Sequence, residues 1–303
     1  MTESFPFPRR TPVRVTFGLG MLLLGIFGFV PAVGVLIASL TDLRGLPGLP
    51  INFVGLQNYI DFFSPAKWAD SANALRNTII FAVVSTVLQI VVALAVAVLL
   101  NRRLKGRDFY RAVVFMPTIL GVTVTGLVWS LIFNVSGGPA ASLLGLFGGH
   151  SAFFGDPKLA LALVILVQVW MVLGVSVIIF LSGLQAVPEE LNEAAEIDGA
   201  SGWQRFRSIT VPLLAPSITA NVLLGIVNAL QSYQLIYVLS GPNNRSTQVL
   251  SLLVYVQGFG GASGTTLSQS QGYAAAVSMV QFFLVAIVSI IALLILRRRE
   301  ARL

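Results

Sequence analysis

Apolar runs of eighteen or more residues recur along this chain, and they limit its possible folds more than any other feature. A bilayer core is about 30 Å thick, so about 20 residues of helix cross it. Because the core holds no water, each spanning segment must satisfy its own backbone hydrogen bonds. We therefore predict an all-α integral membrane protein with six transmembrane helices, at residues 15–40, 77–100, 112–133, 159–186, 213–239 and 273–296.

The composition agrees with a membrane protein. Of the 303 residues, 56% are apolar and only 10% are charged, which is far from the values of soluble domains. The first apolar run follows several arginines, as in a signal peptide, but it is too long and lacks a small-residue cleavage site. We predict that it is retained as a span. The chain has no cysteine, which excludes disulfides, thiolate nucleophiles and cysteine metal sites.

The positive charges predict the topology. Fourteen of the 19 Lys and Arg residues lie before the first span, at 102–111, at 205–207 or after residue 296. The positive-inside rule therefore places both termini, the 101–111 loop and the 187–212 loop in the cytoplasm. The predicted organisation is a cytosolic segment 1–14, a transmembrane domain 15–297 and a cytosolic tail 298–303. The net charge of +7 follows this topology and does not indicate nucleic-acid binding.

Three segments remain on the outer side. Residues 53–59 predict a short amphipathic helix along the outer surface, whereas 134–158 and the Gly/Ser/Gln-rich 241–272 predict loops. None of these is long enough for a separate soluble domain. Whether the Gly-rich part at 258–272 contacts another protein or only connects two spans stays open.

The cytosolic stretch from Pro188 to Pro212 has the signals of two short helices. Glu189 and Glu190 follow Pro188 where a helix dipole favours negative charge. Gly199 can take the left-handed conformation that ends a helix, and a second helix with Trp203 and Phe206 follows. A small helix–turn–helix at the membrane surface fits a groove on another protein. The alternative is an amphipathic helix pair without a partner.

The ordered pattern in this stretch resembles the EAA loop of binding-protein-dependent ABC importer permeases. Its members here are Glu193, Ala194, Ala195, Asp198, Gly199, Ala200, Phe206 and Pro212. Val211 departs from the pattern, since the family more often has Leu before the proline. Other features resemble the carbohydrate branch, of the maltose and glycerol-phosphate type: Asn77-Thr78, Phe115-Met116-Pro117, Trp129 and Gly241-Pro242.

This resemblance implies a type I ABC importer permease fold and a set of partners. One chain would form half of the pathway, and a second, related permease chain the other half. Two ATPase subunits, which bind ATP and Mg²⁺, would dock on the EAA residues. An extracellular binding protein would deliver a sugar, oligosaccharide or polyol to this importer in a bacterial or archaeal cell membrane.

The chain itself shows no means of hydrolysing ATP. A P-loop needs a Gly-Lys pair, but Lys67, Lys105 and Lys158 follow Ala, Leu and Pro. The single His150 lies in an outer loop, away from any catalytic or metal-binding partner. We therefore expect neither an enzyme nor a cofactor or metal in this chain.

The spans carry neutral polar side chains instead of charges. Intramembrane ionisable residues mark proton- and ion-coupled transport, and none lies near a predicted midplane. The candidate solute pathway consists of Gln168, Trp170, Asn228, Gln231, Tyr233 and Gln234. Amides, hydroxyls and aromatic faces suit a neutral, carbohydrate-like solute, although such residues also hold helices together.

Other classes remain as alternatives. A stand-alone secondary transporter or channel for a small polar solute would show midplane charges or an inverted repeat of broken helices, and the sequence shows neither. An amino-acid or metal importer permease would have other loop signatures. A membrane enzyme lacks its catalytic residues here.

Overall fold

The structure is a computed structural model that describes residues 10–45, 48–102, 105–260 and 270–300. Side chains are described from residue 15 to residue 298 within these ranges. The described residues form helices and one isolated β-bridge, between Thr41 and Phe53. The all-α fold class is thus confirmed. Residues 1–9 and 301–303 of the predicted cytosolic ends, and 261–269 of the Gly-rich segment, lie outside the described residues.

Fifteen α-helices follow one another in the described part of the chain. They are α1 (Arg10–Leu24), α2 (Val30–Ala38), α3 (Gln57–Phe63), α4 (Pro65–Asn101), α5 (Arg107–Ile119), α6 (Val122–Ile132), α7 (Pro139–Leu146), α8 (Ala160–Gln185), α9 (Glu189–Ile197), α10 (Gly202–Arg205), α11 (Val211–Leu213), α12 (Ala215–Gln231), α13 (Gln234–Ser240), α14 (Leu250–Phe259) and α15 (Gln271–Glu300). π-helical turns join α1 to α2 and α10 to α11, and a 3₁₀ turn lies at Phe153–Gly155.

Four of the predicted spans are helices long and apolar enough to cross a bilayer. They run over Val15–Ala38, Pro65–Asn101, Ala160–Gln185 and Gln271–Arg298. The second is much longer than its apolar run, because α4 begins at Pro65, twelve residues before the predicted start. The extra residues 65–76 include polar side chains such as Ser71 and Asn73, which lower the hydropathy and so place this part outside the predicted span.

The other two predicted spans are not single helices. Within 112–133, α5 and α6 meet at 104°, and near 213 the helix Gly202–Leu213 meets α12 at 66°. The predicted span 213–239 is also interrupted between α12 and α13. The prediction of one helix for each span is therefore wrong in both places. In the first case Pro117 lies inside α5 and Leu120 and Gly121 are extended, which a proline favours because it removes a helical hydrogen bond. Six spans result only if each bent pair counts as one.

Two short helices lie where only loops were expected. Helix α7 occupies part of 134–158, and α14 occupies part of 241–272. Helix α14 has 10 residues and is too short to cross a bilayer. A short helix lies close to the predicted 53–59, since α3 covers Gln57–Phe63 and buries Phe62 and Asn58. Its place on the outer side stays a prediction.

The bundle is centred on α4, which packs against α8 and α12 along its length, and α12 also packs against α15. Close approach depends on small residues, as is usual in membranes. A Cβ added at Gly183 would lie 2.2 Å from Ser217 Oγ, and one at Gly174 would lie 2.5 Å from Thr118 Oγ1. These contacts hold α8 tightly against α12 and α5.

The ends of α4 and α8 define two ends of the bundle. At one end α8 leads into α9, and we call this the α9 end. At the opposite end, residues 245–250 lie on α4. The Asn77 carboxamide donates to the carbonyls of Arg245, Ser246 and Gln248 at 3.1–3.2 Å, and Thr78 Oγ1 accepts from the Leu250 N–H at 2.8 Å. The Asn77-Thr78 pair therefore fixes the loop that leads into α14.

Candidate coupling helix and solute pathway

Helix α9 ends in a complete Schellman motif. Gly199 has φ +80°, in the left-handed region that glycine adopts without steric cost. The Gly199 N–H donates to the Glu196 carbonyl at 3.0 Å, and the Ala200 N–H donates to the Ala195 carbonyl at 2.9 Å. The left-handed turn at Gly199 is thus confirmed, and it closes the end of α9 with backbone bonds from its own segment.

The second helix of the loop is also capped locally. Ser201 and Gln204 form a capping box, in which each side chain accepts from the backbone N–H of the other residue, at 3.3 and 2.7 Å. The π-helical turn Phe206–Thr210 follows, where the Val211 N–H donates to the Phe206 carbonyl. A π-turn accommodates Pro212, which has no N–H and would clash in a regular helix. The helix ends at Leu213, before the bend into α12.

We call residues 189–213 the α9 segment; its predicted docking residues lie mostly at the surface. No residue of α9 is buried. Glu193, Ala194 and Asp198 are exposed, and Ala195, Ala200, Phe206 and Pro212 are half-buried. The arrangement brings the first six predicted residues together around one turn.

Two apolar side chains near this turn face solvent. Ile197 is 86% exposed and Trp203 is 67% exposed, whereas Phe206 is half-buried and packs on Trp203 at 5.6 Å between ring centroids. Trp203 therefore faces away from the bundle. Sequence reasoning missed Ile197, although an apolar residue beside a glycine turn with nothing to pack on is a signal for a protein contact.

The second candidate site lies where α12 ends and α13 begins, and we call residues 231–234 the break. Ser232 is extended, with ψ 108°, so the helical ladder is interrupted. Gln281 of α15 donates to the Leu230 carbonyl at 2.7 Å, and Ser251 of α14 donates to the Ser232 carbonyl at 3.0 Å. Irregular backbone at membrane depth is stable only where other groups satisfy it.

The hydroxyl of Ser232 completes this set of contacts, since it donates to Gln168 Oε1 of α8 at 3.2 Å. Three helices thus supply side chains to one break. Sequence reasoning identified Gln168 but missed Ser251 and Gln281. Their signal was available: both are polar residues in otherwise apolar helices.

A cavity of about 220 Å³ lies on the α8 side of the break. Five of the six predicted pathway residues line it, namely Gln168, Asn228, Gln231, Tyr233 and Gln234. The sixth, Trp170, is placed elsewhere: it packs edge-on against Trp129 at 5.4 Å between ring centroids. Trp170 therefore lies on the α6 side of α8 and does not line this cavity, and its assignment to the solute pathway stays a prediction.

Three of these amides form an exposed row. Asn228, Gln231 and Gln234 are exposed on the isolated chain, although they lie within a predicted span. Polar side chains at membrane depth rarely face lipid. This row, which we call the polar ridge, therefore marks a surface that faces water or another protein.

Comparison with known proteins agrees with this geometry. Residues 146–301 match the family model described as binding-protein-dependent transport system inner membrane component. The match covers more than half of the chain and includes both candidate sites.

The chain belongs to this family.

Several related permeases align with this inner membrane component over most of its length and of their own. The chain is 33% identical to the trehalose/maltose transport system permease protein MalF of Thermococcus litoralis, over 91% of this chain and 90% of that protein. It is 32% identical to the multiple sugar-binding transport system permease protein MsmF of Streptococcus mutans, with 92% and 93% covered. It is also 32% identical to the sn-glycerol-3-phosphate transport system permease protein UgpA of Agrobacterium fabrum, with 85% and 87% covered.

The fold also matches a solved structure. A chain of a bacterial ABC transporter that imports the acidic polysaccharide alginate superposes with a TM-score of 0.79, at 20% identity, over 94% of this chain and 95% of that chain. At this identity the likeness concerns the fold. The two chains share one overall arrangement of helices.

Family membership decides between the alternatives. This inner membrane component is a multi-pass membrane protein of a binding-protein-dependent transport system. The sequence showed no sign of broken helices, and this counted against a stand-alone transporter. The structure has broken helices, so that argument fails. The family match does.

Proposed function

We propose that this permease forms half of the pathway of an ATP-driven importer for a neutral saccharide or polyol. The observation that supports it most is the break, where six uncharged polar side chains converge on one cavity, three of them exposed as the polar ridge. The second half of the pathway is a related permease chain facing this ridge. Both termini and the α9 end lie in the cytoplasm.

The α9 segment is the proposed contact with two ATPase subunits, which bind ATP and Mg²⁺. The turn at Gly199 is held by hydrogen bonds within the segment. The segment therefore keeps its shape when it enters or leaves a groove on the ATPase. Ile197 and Trp203 supply the apolar anchor that such a helix needs. Closure of the ATPases on nucleotide would move α9, and with it α8 and α12, and so expose the cavity alternately to the two sides.

The solute class follows from the lining. The 220 Å³ cavity contains no ionisable side chain apart from the Tyr233 phenol. Amides offer a donor and an acceptor each and so match adjacent hydroxyls. Two relatives are named for sugars and one for sn-glycerol-3-phosphate. A phosphate would require a cation in the cavity, and for this reason we favour a neutral solute delivered by an extracellular binding protein.

The test is ATP hydrolysis by the complex that copurifies with this chain from its native host, reconstituted in lipid with its binding protein. We expect hydrolysis to rise with one saccharide or polyol from a panel of neutral and phosphorylated compounds. Glu193→Lys, a charge reversal on the exposed face of α9, should remove the ATPase without unfolding the spans. A chain that purifies alone, without hydrolysis, would contradict the proposal and favour a stand-alone transporter.

A further inference from the structure

The junction between α4 and α5 lies at the α9 end of the bundle and is strongly basic. Leu100, near the end of α4, belongs to one apolar cluster with Leu181 and Leu184 of α8, the helix that leads into α9. Asp108 is the single carboxylate of the described junction and α5. Against it stand four cations, which are Arg102, Lys105, Arg107 and Arg111.

These cations have no counter-ion within the described part of the chain. The ion pairs there join Lys67 to Asp61, Arg205 to Glu196 and Arg245 to Asp70. The carboxylates of α9 lie at the same end of the bundle but pair with none of the four. The charge of the junction is therefore available to an anion from outside the chain.

Arg111 has the strongest requirement for such an anion. Its side chain is half-buried, and its Nε is buried without a hydrogen-bond partner in the described residues. It shares a face of α5 with Val114 and Phe115, which pack on the cluster of α4 and α8. A buried guanidinium N–H without an acceptor is costly, which favours an acceptor supplied by a bound molecule.

Arg107 shows that the junction has a fixed shape. Its Nε donates to the Leu100 carbonyl at 2.7 Å, one of the carbonyls that the end of α4 leaves without a helical partner. This bond holds the start of α5 against α4. The remaining N–H groups of the Arg107 guanidinium stay available on the same side as Arg111, one helical turn away.

The outward face of α5 is apolar and begins at the same level. Phe109, Val113 and Met116 follow one another at helical spacing and are exposed, Phe109 to 69%. Tyr110 is exposed beside them, with its ring edge-on to that of Phe109 at 6.0 Å between centroids. Aromatic residues are typical of the level of the lipid headgroups.

The combination of cations and apolar surface matches one kind of molecule. A soluble anion would contact the cations and leave the apolar face in water, and an acidic protein surface would do the same. A phospholipid contacts both, because its phosphate meets the cations while its acyl chains cover the apolar side chains. Basic pockets between membrane helices are known to bind anionic lipid headgroups in this way.

We propose that the junction of α4 and α5 is a binding site for one anionic phospholipid of the membrane. The lipid phosphate accepts from Arg111, with Lys105 and Arg107 beside it, and the acyl chains lie along Phe109, Val113 and Met116. The bound lipid fixes α5, the first half of a bent helix pair, against α8. The site is independent of the solute that the importer carries.

The first experiment measures lipid binding to the complex as it purifies from its native host. Phosphatidylglycerol and phosphatidylcholine with the same acyl chains are titrated separately into the complex in detergent, and native mass spectrometry counts the lipids bound. The variants are Arg111→Gln, Arg111→Lys and Lys105→Gln. The matched control is Arg298→Gln, which removes an exposed cation of α15 in the predicted cytosolic tail.

We expect Arg111→Gln to weaken the binding of phosphatidylglycerol at least about fivefold and to leave that of phosphatidylcholine unchanged. Arg111→Lys should lose less, because it keeps the charge. Arg298→Gln should bind as the unmodified chain does. Unchanged binding of phosphatidylglycerol by Arg111→Gln, or an equal loss of both lipids, would overturn the proposal.

Lys105→Gln keeps the test decisive if Arg111→Gln does not fold. Lys105 is exposed on the turn before α5, so its loss leaves the buried contacts intact, and binding of phosphatidylglycerol should weaken severalfold. The soluble headgroup glycerophosphoglycerol is added as a competitor. It should not displace the lipid at equal concentration, since it lacks acyl chains, and equal displacement would show that the site takes free phosphate compounds instead.

The second experiment locates the lipid. The complex in vesicles is irradiated with a phosphatidylglycerol that carries a diazirine in its acyl chain, and the adducts are mapped by mass spectrometry. We expect adducts on residues 107–119 that excess phosphatidylglycerol suppresses and phosphatidylcholine does not. Equal labelling by a phosphatidylcholine probe would mean that lipid covers α5 without a site. Absence of adducts there would mean that a partner protein covers this face, and either result excludes the proposal.

Discussion

The α9 segment and the break are both places where a helix stops and another begins, yet their ends are stabilised in opposite ways. In the α9 segment, the Schellman motif at Gly199 and the capping box of Ser201 and Gln204 use groups from the same dozen residues. At the break, the free groups are paired by Gln168, Ser251 and Gln281, from three other helices.

The difference reflects the solvent. At the α9 end, water can satisfy any backbone group that the turn leaves free. The shape of the segment therefore does not depend on contacts with the bundle, and its surface is free to dock on a partner. At membrane depth, non-helical backbone is stable only where protein groups or a water-filled cavity satisfy it. Here side chains of neighbouring helices pair with the Leu230 and Ser232 carbonyls. A break in the membrane is therefore coupled to the packing of α8, α14 and α15, whereas the turn at Gly199 is not.

Gly199→Val should have the largest effect on transport. Nothing lies within 4 Å of an added Cβ, but φ +80° is costly for a β-branched residue. We expect uptake to fall by more than about tenfold, since 1.4 kcal/mol already corresponds to a factor of ten, with the thermal stability of the spans unchanged. The control is Gly202→Ala, which has equal space and an ordinary φ. Uptake at the level of the unmodified chain would show that the turn is not needed.

Gln281→Leu should have the largest effect on stability. It leaves the Leu230 carbonyl unpaired inside the membrane, which costs roughly 1–2 kcal/mol. The measurement is denaturant unfolding in detergent micelles. Ser278→Ala is the matched control, because Ser278 Oγ donates to the Ala275 carbonyl of its own helix. Equal stability of the two variants would mean that the break does not depend on its neighbours.

Ser201→Ala should act on the α9 segment alone. Loss of the N-cap costs about 1 kcal/mol of local helix stability, so ATPase binding should weaken severalfold while the unfolding transition of the bundle stays in place. The control is Gln204→Glu, which preserves the capping box, so this variant should bind the ATPase as the unmodified chain does. A shift of the bundle transition with Ser201→Ala would contradict the independence of this segment.

Glu196→Gln should have the smallest effect. It removes the ion pair with Arg205 across the turn, in which the Glu196 side chain is 69% exposed. Surface pairs contribute about 0–1 kcal/mol, so we expect ATPase binding to change by less than about twofold. A larger loss in a titration at physiological salt would show that the carboxylate contacts the ATPase directly.

The same contrast explains what could be predicted from the sequence. The turn at Gly199 depends on local residue types, and its geometry was predicted correctly. The break depends on Ser251 and Gln281, which follow it by many residues, so its polar cluster was recognised but its interruption of the helix was not. Hydropathy averaged over a span barely changes when two residues leave the helix. Helix α14 was missed because its ten residues are too few for a span.

The Asn77 contacts have a consequence for biogenesis. Asn77 pairs with Arg245, which follows it by 168 residues, and Thr78 pairs with Leu250, which follows it by 172 residues. At a synthesis rate of about 5–20 residues per second, α4 waits roughly ten to thirty seconds before its partners leave the ribosome. During that interval Asn77 and Thr78 lack these partners. The end of the bundle opposite α9 is therefore among the last parts to assemble, and a nascent chain halted before residue 245 should be open there to a surveillance protease.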